Sequence, residues 1–155
     1  MKGDPKVIEV LNARLAEELA AINQYMVHAE MCENWRYNKL AEPIEKRAIV
    51  EMKHAEKLIA RILFLDGRPI VNNLAALHIG ADVPKMHAFD LDAELGAVKN
   101  YNDSIRVARE AGDDGSRAIF EEILGDEEDH VDWLEAQLFQ IEQIGLQNYL
   151  VEQIE

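Results

Sequence analysis

The sequence predicts an all-α fold: a four-helix bundle with one long crossover and a short fifth C-terminal helix. Three observations lead there. The 155-residue chain is 48% hydrophobic but only 6% aromatic, and is rich in Leu, Ala, Glu and Ile, which suit a helix. Only eight glycines and four prolines interrupt it. Apolar residues recur at steps of three and four through four long stretches, separated by clusters of Asp, Gly and Pro.

Asp4-Pro5 opens the first helix, with Asp4 as N-cap and Pro5 in the first turn, where a missing N–H costs nothing; the periodicity runs to about Asn34. A second helix is predicted from Glu42-Pro43 to Asp66-Gly67, with Gly67 as the left-handed C-terminal residue and Pro69 preventing continuation. The stretch RPIVNNLAALHIG, residues 68–80, is irregular and long for a helical connection. The third helix starts at Asp82-Val83-Pro84 and ends at Gly112, and the fourth runs from Asp113 or Asp114 to Gly145. LQNYLVEQIE forms the fifth segment, too short to fold alone and expected to act through packing against neighbouring subunits. The long helices, about 40 Å each at 1.5 Å per residue, bundle together. Short turns make antiparallel neighbours, and the long middle connection allows the second and third helices to run parallel.

The inward seam of each helix carries one residue that does not belong in an apolar core. Helix one reads Ile8, Leu11, Leu15, Glu18, Ile22, Tyr25, Ala29; helix two Ile44, Ala48, Glu51, Ala55, Leu58, Ile62, Leu65. Helix three reads Leu91, Glu94, Val98, Tyr101, Ile105, Ala108, and helix four Phe120, Leu124, Glu127, Val131, Leu134, Leu138, Ile141. A buried carboxylate without compensation costs several kcal/mol or takes up a proton, so four of them require a cation. No lysine or arginine stands in these stripes, which points to a metal ion.

The spacing repeats. Glu18, Tyr25, Glu51 and His54 recur at a constant offset of 76 as Glu94, Tyr101, Glu127 and His130, and Leu15, Leu19, Ala21 and Leu58 recur as Leu91, Leu95, Ala97 and Leu134. Two similar hairpins related by a local two-fold produce this register. Residues three apart share a helix face, so Glu51 with His54, and Glu127 with His130, can each grip one ion. One glutamate from each of two helices and a Glu-x-x-His from each of the other two is the constellation of di-iron and di-manganese carboxylate bundles. Mixed carboxylate and imidazole ligation suits iron or manganese. Tyr25 and Tyr101 are read either as core residues or as hydrogen-bonding and electron-carrying partners of the site. His28, His78 and His87 are read as loop, surface or packing histidines.

A formal charge of −14 repels nucleic acid and anionic membranes, so neither is expected as a partner. Cys32 is the only cysteine, which excludes an intrachain disulfide and a cysteine zinc site. The N-terminus MKGDPKVIEV has no long apolar segment, and no stretch approaches the roughly 18 apolar residues of a membrane span. A single domain over residues 1–155, in a soluble cytoplasmic protein, is expected.

Motifs along the whole chain, MKGD at the start, INQY at 22–25, EMKHAE at 51–56, RILFLDG at 61–67, DEEDHVDWLE at 126–135 and LQNYL at 146–150, make it similar to bacterioferritins, the haem-containing bacterial branch of the ferritins. The resemblance implies a ferritin-like subunit in a shell of twenty-four and an intrasubunit di-iron ferroxidase centre holding two irons. Its ligands map to Glu18, Glu51, His54, Glu94, Glu127 and His130, with Glu51 and Glu127 bridging. It further implies Fe(II) as substrate, dioxygen or hydrogen peroxide as oxidant, ferric mineral as the stored product, and a small ferredoxin as electron donor for release. A b-type haem is implied at a two-fold between two subunits, ligated by Met52 from each and lined by Leu19, Ile22, Asn23 and Met26.

Bacterioferritins commonly carry Tyr near position 45 and His and Asp near 46 and 50, where this chain has Glu45, Lys46 and Val50. Accessory iron ligands on the inner surface are therefore missing, and mineral growth is expected to proceed through the centre, with His130 as a mobile ligand. Three other readings compete with this one. A di-iron peroxidase of the rubrerythrin kind usually has a module needing four cysteines, and a compact DNA-protecting ferritin is disfavoured by the fifth helix and the acidic termini. The third is a haem-carrying or assembly subunit of a mixed shell.

Overall fold

The structure is a computed structural model that describes residues 1–154; Glu155, the last residue of the expected fifth segment, lies outside the described residues. Five helices follow in chain order: α1 (Pro5–Asn34), α2 (Asn38–Phe64), α3 (Val83–Glu110), α4 (Asp114–Ile144) and α5 (Leu146–Val151). No strand occurs among the described residues. The result is the ferritin-like four-helix bundle with a short C-terminal helix.

Local chemistry sets the helix starts. The Asp4 side chain accepts from the Lys6 N–H, Asp82 from Lys85 and Asp113 from Ser116, at 2.8, 2.9 and 2.9 Å. Each satisfies an orphan donor of the first turn. The start of α2 differs from the sequence reading. A tight turn through Arg36, whose φ is 66°, restarts the chain at Asn38, and Pro43 sits inside the helix. Leu40 and Ala41, upstream of the proline, are buried in the core, and that burial outweighs the one missing hydrogen bond. At the other end Asp66, with φ 56°, takes the left-handed position assigned to Gly67.

Cross-helix contacts fix the directions. Glu18 pairs with Tyr101 and Tyr25 with Glu94, so α1 and α3 are antiparallel. Arg61 reaches Asp113 at 2.6 Å, Lys57 reaches Glu122 at 2.7 Å and His54 reaches Asp126 at 2.9 Å, so α2 and α4 are antiparallel. The crossover runs along α1 and is pinned to it in steps: Ile70 N–H to Asn12, Ala75 N–H to the Ala16 carbonyl, His78 N–H to Gln24 and Gly80 N–H to His28 Nε2. Gly80 has no room for a side chain, since a Cβ there would lie 2.3 Å from the Met86 nitrogen.

The core is in two parts. One apolar cluster contains Leu11, Leu15, Leu58, Ile62, Tyr101 and Phe120. The other contains Tyr25, Cys32, Leu40, Ile44, Met86 and Tyr149. The two seam tyrosines fall one in each cluster, and their hydroxyls reach the seam glutamates.

Candidate metal centre

All four seam glutamates are buried, each at most 2% exposed, and none has turned to solvent. The bundle holds them because Leu11, Leu15, Leu58 and Leu134 on the same helix faces are fully buried and fix the register. His54 Nδ1 stands 3.4 Å from Glu18, 3.3 Å from Glu51 and 3.3 Å from Glu127. Ligand atoms of Glu18, Glu51, His54 and Glu127 all lie within 4.8 Å of one another, close enough to surround one cation. Across the seam, His130 Nδ1 is 2.7 Å from Glu94. Its ring stacks on Trp133 and meets Tyr25 edge-on.

The local two-fold is visible in the hydrogen bonds. Tyr101 donates to Glu18 Oε1 and Tyr25 donates to Glu94 Oε1, a pair of contacts related by the offset of 76. The second oxygen of each carboxylate, Oε2 of Glu18 and Oε2 of Glu94, is buried without a well-aligned hydrogen bond, Glu18 Oε2 having only the ion-pair contact with His54 Nδ1 at 3.4 Å. A native core rarely leaves such atoms bare, and a bound cation is the simplest way to satisfy them. The donor set therefore fits a metal ion.

Electrostatics agree. Burial, then repulsion from Glu18, pushes Glu51 well above the ordinary carboxylate range; burial, then Glu94, does the same to Glu127. Burial alone would lower the His54 imidazole, but hydrogen bonds to Glu127, Glu18 and Glu51 push it up to about 12. The metal-free centre thus holds protons where a metal would hold charge.

Two participants escaped the sequence reading. Arg47 is buried, its Nη2 donating to Glu127 at 2.7 Å and its Nε lying 2.5 Å from Glu51 in a close but poorly aligned ion pair. A protein cation does therefore enter the seam. The signal was present: position 47 is three residues after Ile44 and four before Glu51, so it fits the seam as well as Ala48 does. Asp126 is the second. It accepts from His54 Nε2 at 2.9 Å, holding the ring so that Nδ1 faces the carboxylates. Its repeat counterpart is Val50, so the two-fold offers no partner for it.

The remaining residues fall as follows. Met52 is 41% exposed on the side of α2 away from the seam, and Met26 is exposed on α1. Leu19, Ile22 and Asn23 line a shallow groove on α1 with Val71, Asn72 and Leu74 of the crossover. His28, read as a packing residue without a partner, is fully buried and paired with Asp90 at 2.9 Å. Since Nε2 accepts from Gly80, its Nδ1 carries the proton donated to Asp90. His87 is buried against Tyr149, and His78 lies beside Phe89.

Four long helices around a buried carboxylate and histidine cluster define a ferritin-like protein. A family model described as a ferritin-like domain matches residues 8–144. The chain is 45% identical to the bacterioferritin of Rhodobacter capsulatus and 42% identical to that of Brucella melitensis, each over 96% of this chain and 92% of the relative. It is 44% identical to the bacterioferritin of Streptomyces coelicolor over 100% of this chain and 93% of the relative. The chain belongs to the bacterioferritin family.

Proposed function

We propose that this protein stores iron: a ferroxidase that oxidises Fe(II) with dioxygen or hydrogen peroxide at an intrasubunit centre and retains the ferric product as mineral in a cytoplasmic shell of twenty-four subunits. One ferritin-like di-iron domain spans residues 1–155. The ligands are Glu18, Glu51, His54, Glu94, Glu127 and His130, with Glu51 and Glu127 shared between two irons. The observation that carries this reading is the convergence of four buried carboxylates, two of which keep an oxygen without a well-aligned hydrogen bond.

The chain's own groups have distinct tasks in it. Tyr101 and Tyr25 each occupy one oxygen of Glu18 or Glu94 and leave the other bare, which fixes those ligands before any ion arrives. Asp126 keeps the proton on His54 Nε2, so the proton lost on metal binding leaves from Nδ1. A cleft of about 210 Å³ between α1 and α3, walled by Ala20, Ala21, Ala97 and Gly96, reaches Glu18 and Glu94 and admits an ion and a small oxidant. Bound iron supplies the electrons; carboxylate ligands favour its ferric state. Met52 and its copy would hold a haem, with Leu19, Ile22, Asn23 and Met26 around it, and such a group would supply a route for electrons from a small ferredoxin during release.

Replacing Glu18 or Glu94 by Ala is expected to abolish the fast phase of Fe(II) oxidation in stopped-flow absorbance while helicity is retained, because each change removes one ligand and leaves intact the apolar seam residues that hold the helices together. Fast oxidation persisting in both variants would sink the assignment. The second reading, a haem-carrying or assembly subunit of a mixed shell, draws on the presence of Arg47 in the seam; no iron oxidation by the pure wild-type homopolymer would favour it.

A further inference from the structure

Arg47 is the feature that the reading above does not use. Its guanidinium touches three of the four seam carboxylates: Glu51 at 2.5 Å, Glu127 at 2.7 Å and Glu94 at 3.6 Å, while Nη1 donates to the Asp126 carbonyl at 3.1 Å. Glu18 is not among its partners and is instead near His54. His54 and Arg47 share Glu51 and Glu127 and differ in that only His54 faces Glu18 and only Arg47 reaches Glu94, which also meets His130 Nδ1 at 2.7 Å; the offset of 76 puts Ile123 where a second arginine would be.

The two cations also leave differently. An imidazolium makes way for a metal by losing a proton, but a guanidinium stays charged under all ordinary conditions. Burial opposes the charge on Arg47, yet the Glu51, Glu94 and Glu127 carboxylates hold it more firmly than in water. Two ions of like sign cannot share this space, so the side chain must move. The fold provides a place for it. Beside Arg47 a pocket opens to solvent between α2 and α4, bordered by Val50, Asp126, Asp129, His130 and Trp133. Asp129 is exposed and the Asp126 carboxylate is half-exposed, so a rotated Arg47 would exchange three buried carboxylates for two more solvated ones. Val50 offers no competing charge there.

We infer that Arg47 is a tethered countercation that occupies the Glu51–Glu94–Glu127 half of the centre when metal is absent and swings to the Asp126–Asp129 pocket when a divalent ion takes its place. The inference rests on the metal-centre reading. It makes the two metal positions unequal: the Glu18–His54 half, which Arg47 does not touch, fills first, and the other fills only by expelling Arg47.

Titration of metal-free wild-type protein with Co(II), followed calorimetrically and by visible absorption, tests it. Two events are expected, the second weaker. Arg47→Met removes the competitor with little change of bulk, so the second event should tighten at least about ten-fold, the factor carried by each 1.4 kcal/mol. Thermal stability of the metal-free form should fall in that variant, while that of the Co(II)-loaded form should not. Asp129→Asn, an exposed change that leaves the seam intact, should weaken the second event without altering metal-free stability. An unchanged second event in Arg47→Met, whether or not metal-free stability falls, overturns the inference and leaves Arg47 a structural ion pair. If Arg47→Met does not fold, an unchanged second event in Asp129→Asn overturns it alone. Absence of Co(II) binding in wild type, or binding indifferent to Glu18→Ala, overturns the metal centre itself, a separate failure.

Discussion

Each seam tyrosine spans the two halves of the repeat: Tyr25 on α1 serves Glu94 on α3, and Tyr101 on α3 serves Glu18 on α1. Both phenols are buried, and burial followed by the facing carboxylate raises each well above its ordinary value, so they remain donors. Removing the Tyr101 hydroxyl leaves Glu18 Oε1 unsatisfied, at a cost of about 1–3 kcal/mol, whereas Glu94 Oε1 keeps His130 Nδ1 at 2.7 Å when Tyr25 loses its hydroxyl. Tyr101→Phe should therefore lower the thermal midpoint of the metal-free protein more than Tyr25→Phe. Equal losses would show that the His130 contact does not compensate Glu94. The four glutamates and both tyrosines were legible in the sequence because the offset of 76 marks each of them twice. Arg47 and Asp126 were not, because their repeat partners are Ile123 and Val50 and the signal that identified the others is absent.

At the scale of elements, what is short and unsupported by a repeat was hardest to read. The starts of α1, α3 and α4 follow from side-chain caps that the sequence displays. The start of α2 depends on burial of Leu40 and Ala41 against Tyr149 and its neighbours, a contact between distant parts of the chain. The same contact alters the reading of α5, expected to act through neighbouring subunits: Tyr149 is wholly buried within its own chain, donating to Gln137 at 2.7 Å. With that proton committed, His87 Nε2 donates to the Tyr149 oxygen at 3.1 Å, and His87 Nδ1 is left as a bare acceptor. Burial, then the nearby His28 and His130, lowers His87 from 6.5 to about 4. The unfolded chain therefore takes up this proton first as pH falls. The contribution of neutral His87 is complete above pH 6.5, is lost between 6.5 and about 4, and is then constant. Over that window wild type should lose up to about 3 kcal/mol that His87→Gln does not. Thermal midpoints from pH 4 to 7.5 check this, and a difference between the two proteins that does not change with pH would rule it out.

On the scale of the whole molecule, chemistry and contact surface are separated by the helix repeat itself. Met52 follows Glu51 by one residue, so it points about 100° away from the metal seam. Ile49, one turn before it on the same face of α2, is also exposed, as is Met26 on α1. Periodicity predicts that such a residue faces outward, but only the family resemblance suggests haem, since an exposed methionine by itself is a packing residue as a rule. If two copies of this face close on one haem through two Met52 sulfurs, the ligand lies outside the bundle that holds the iron. Met52→Ala should then yield an assembled shell without the absorption band of bound haem, with the fast phase of Fe(II) oxidation unchanged, since none of the six proposed seam ligands is touched. Absorption spectra of the purified shell and stopped-flow oxidation of the same sample measure the two separately. A haem band that survives the substitution would assign the ligand elsewhere, whereas loss of the band together with fast oxidation would mean that the outer face and the seam are coupled through α2.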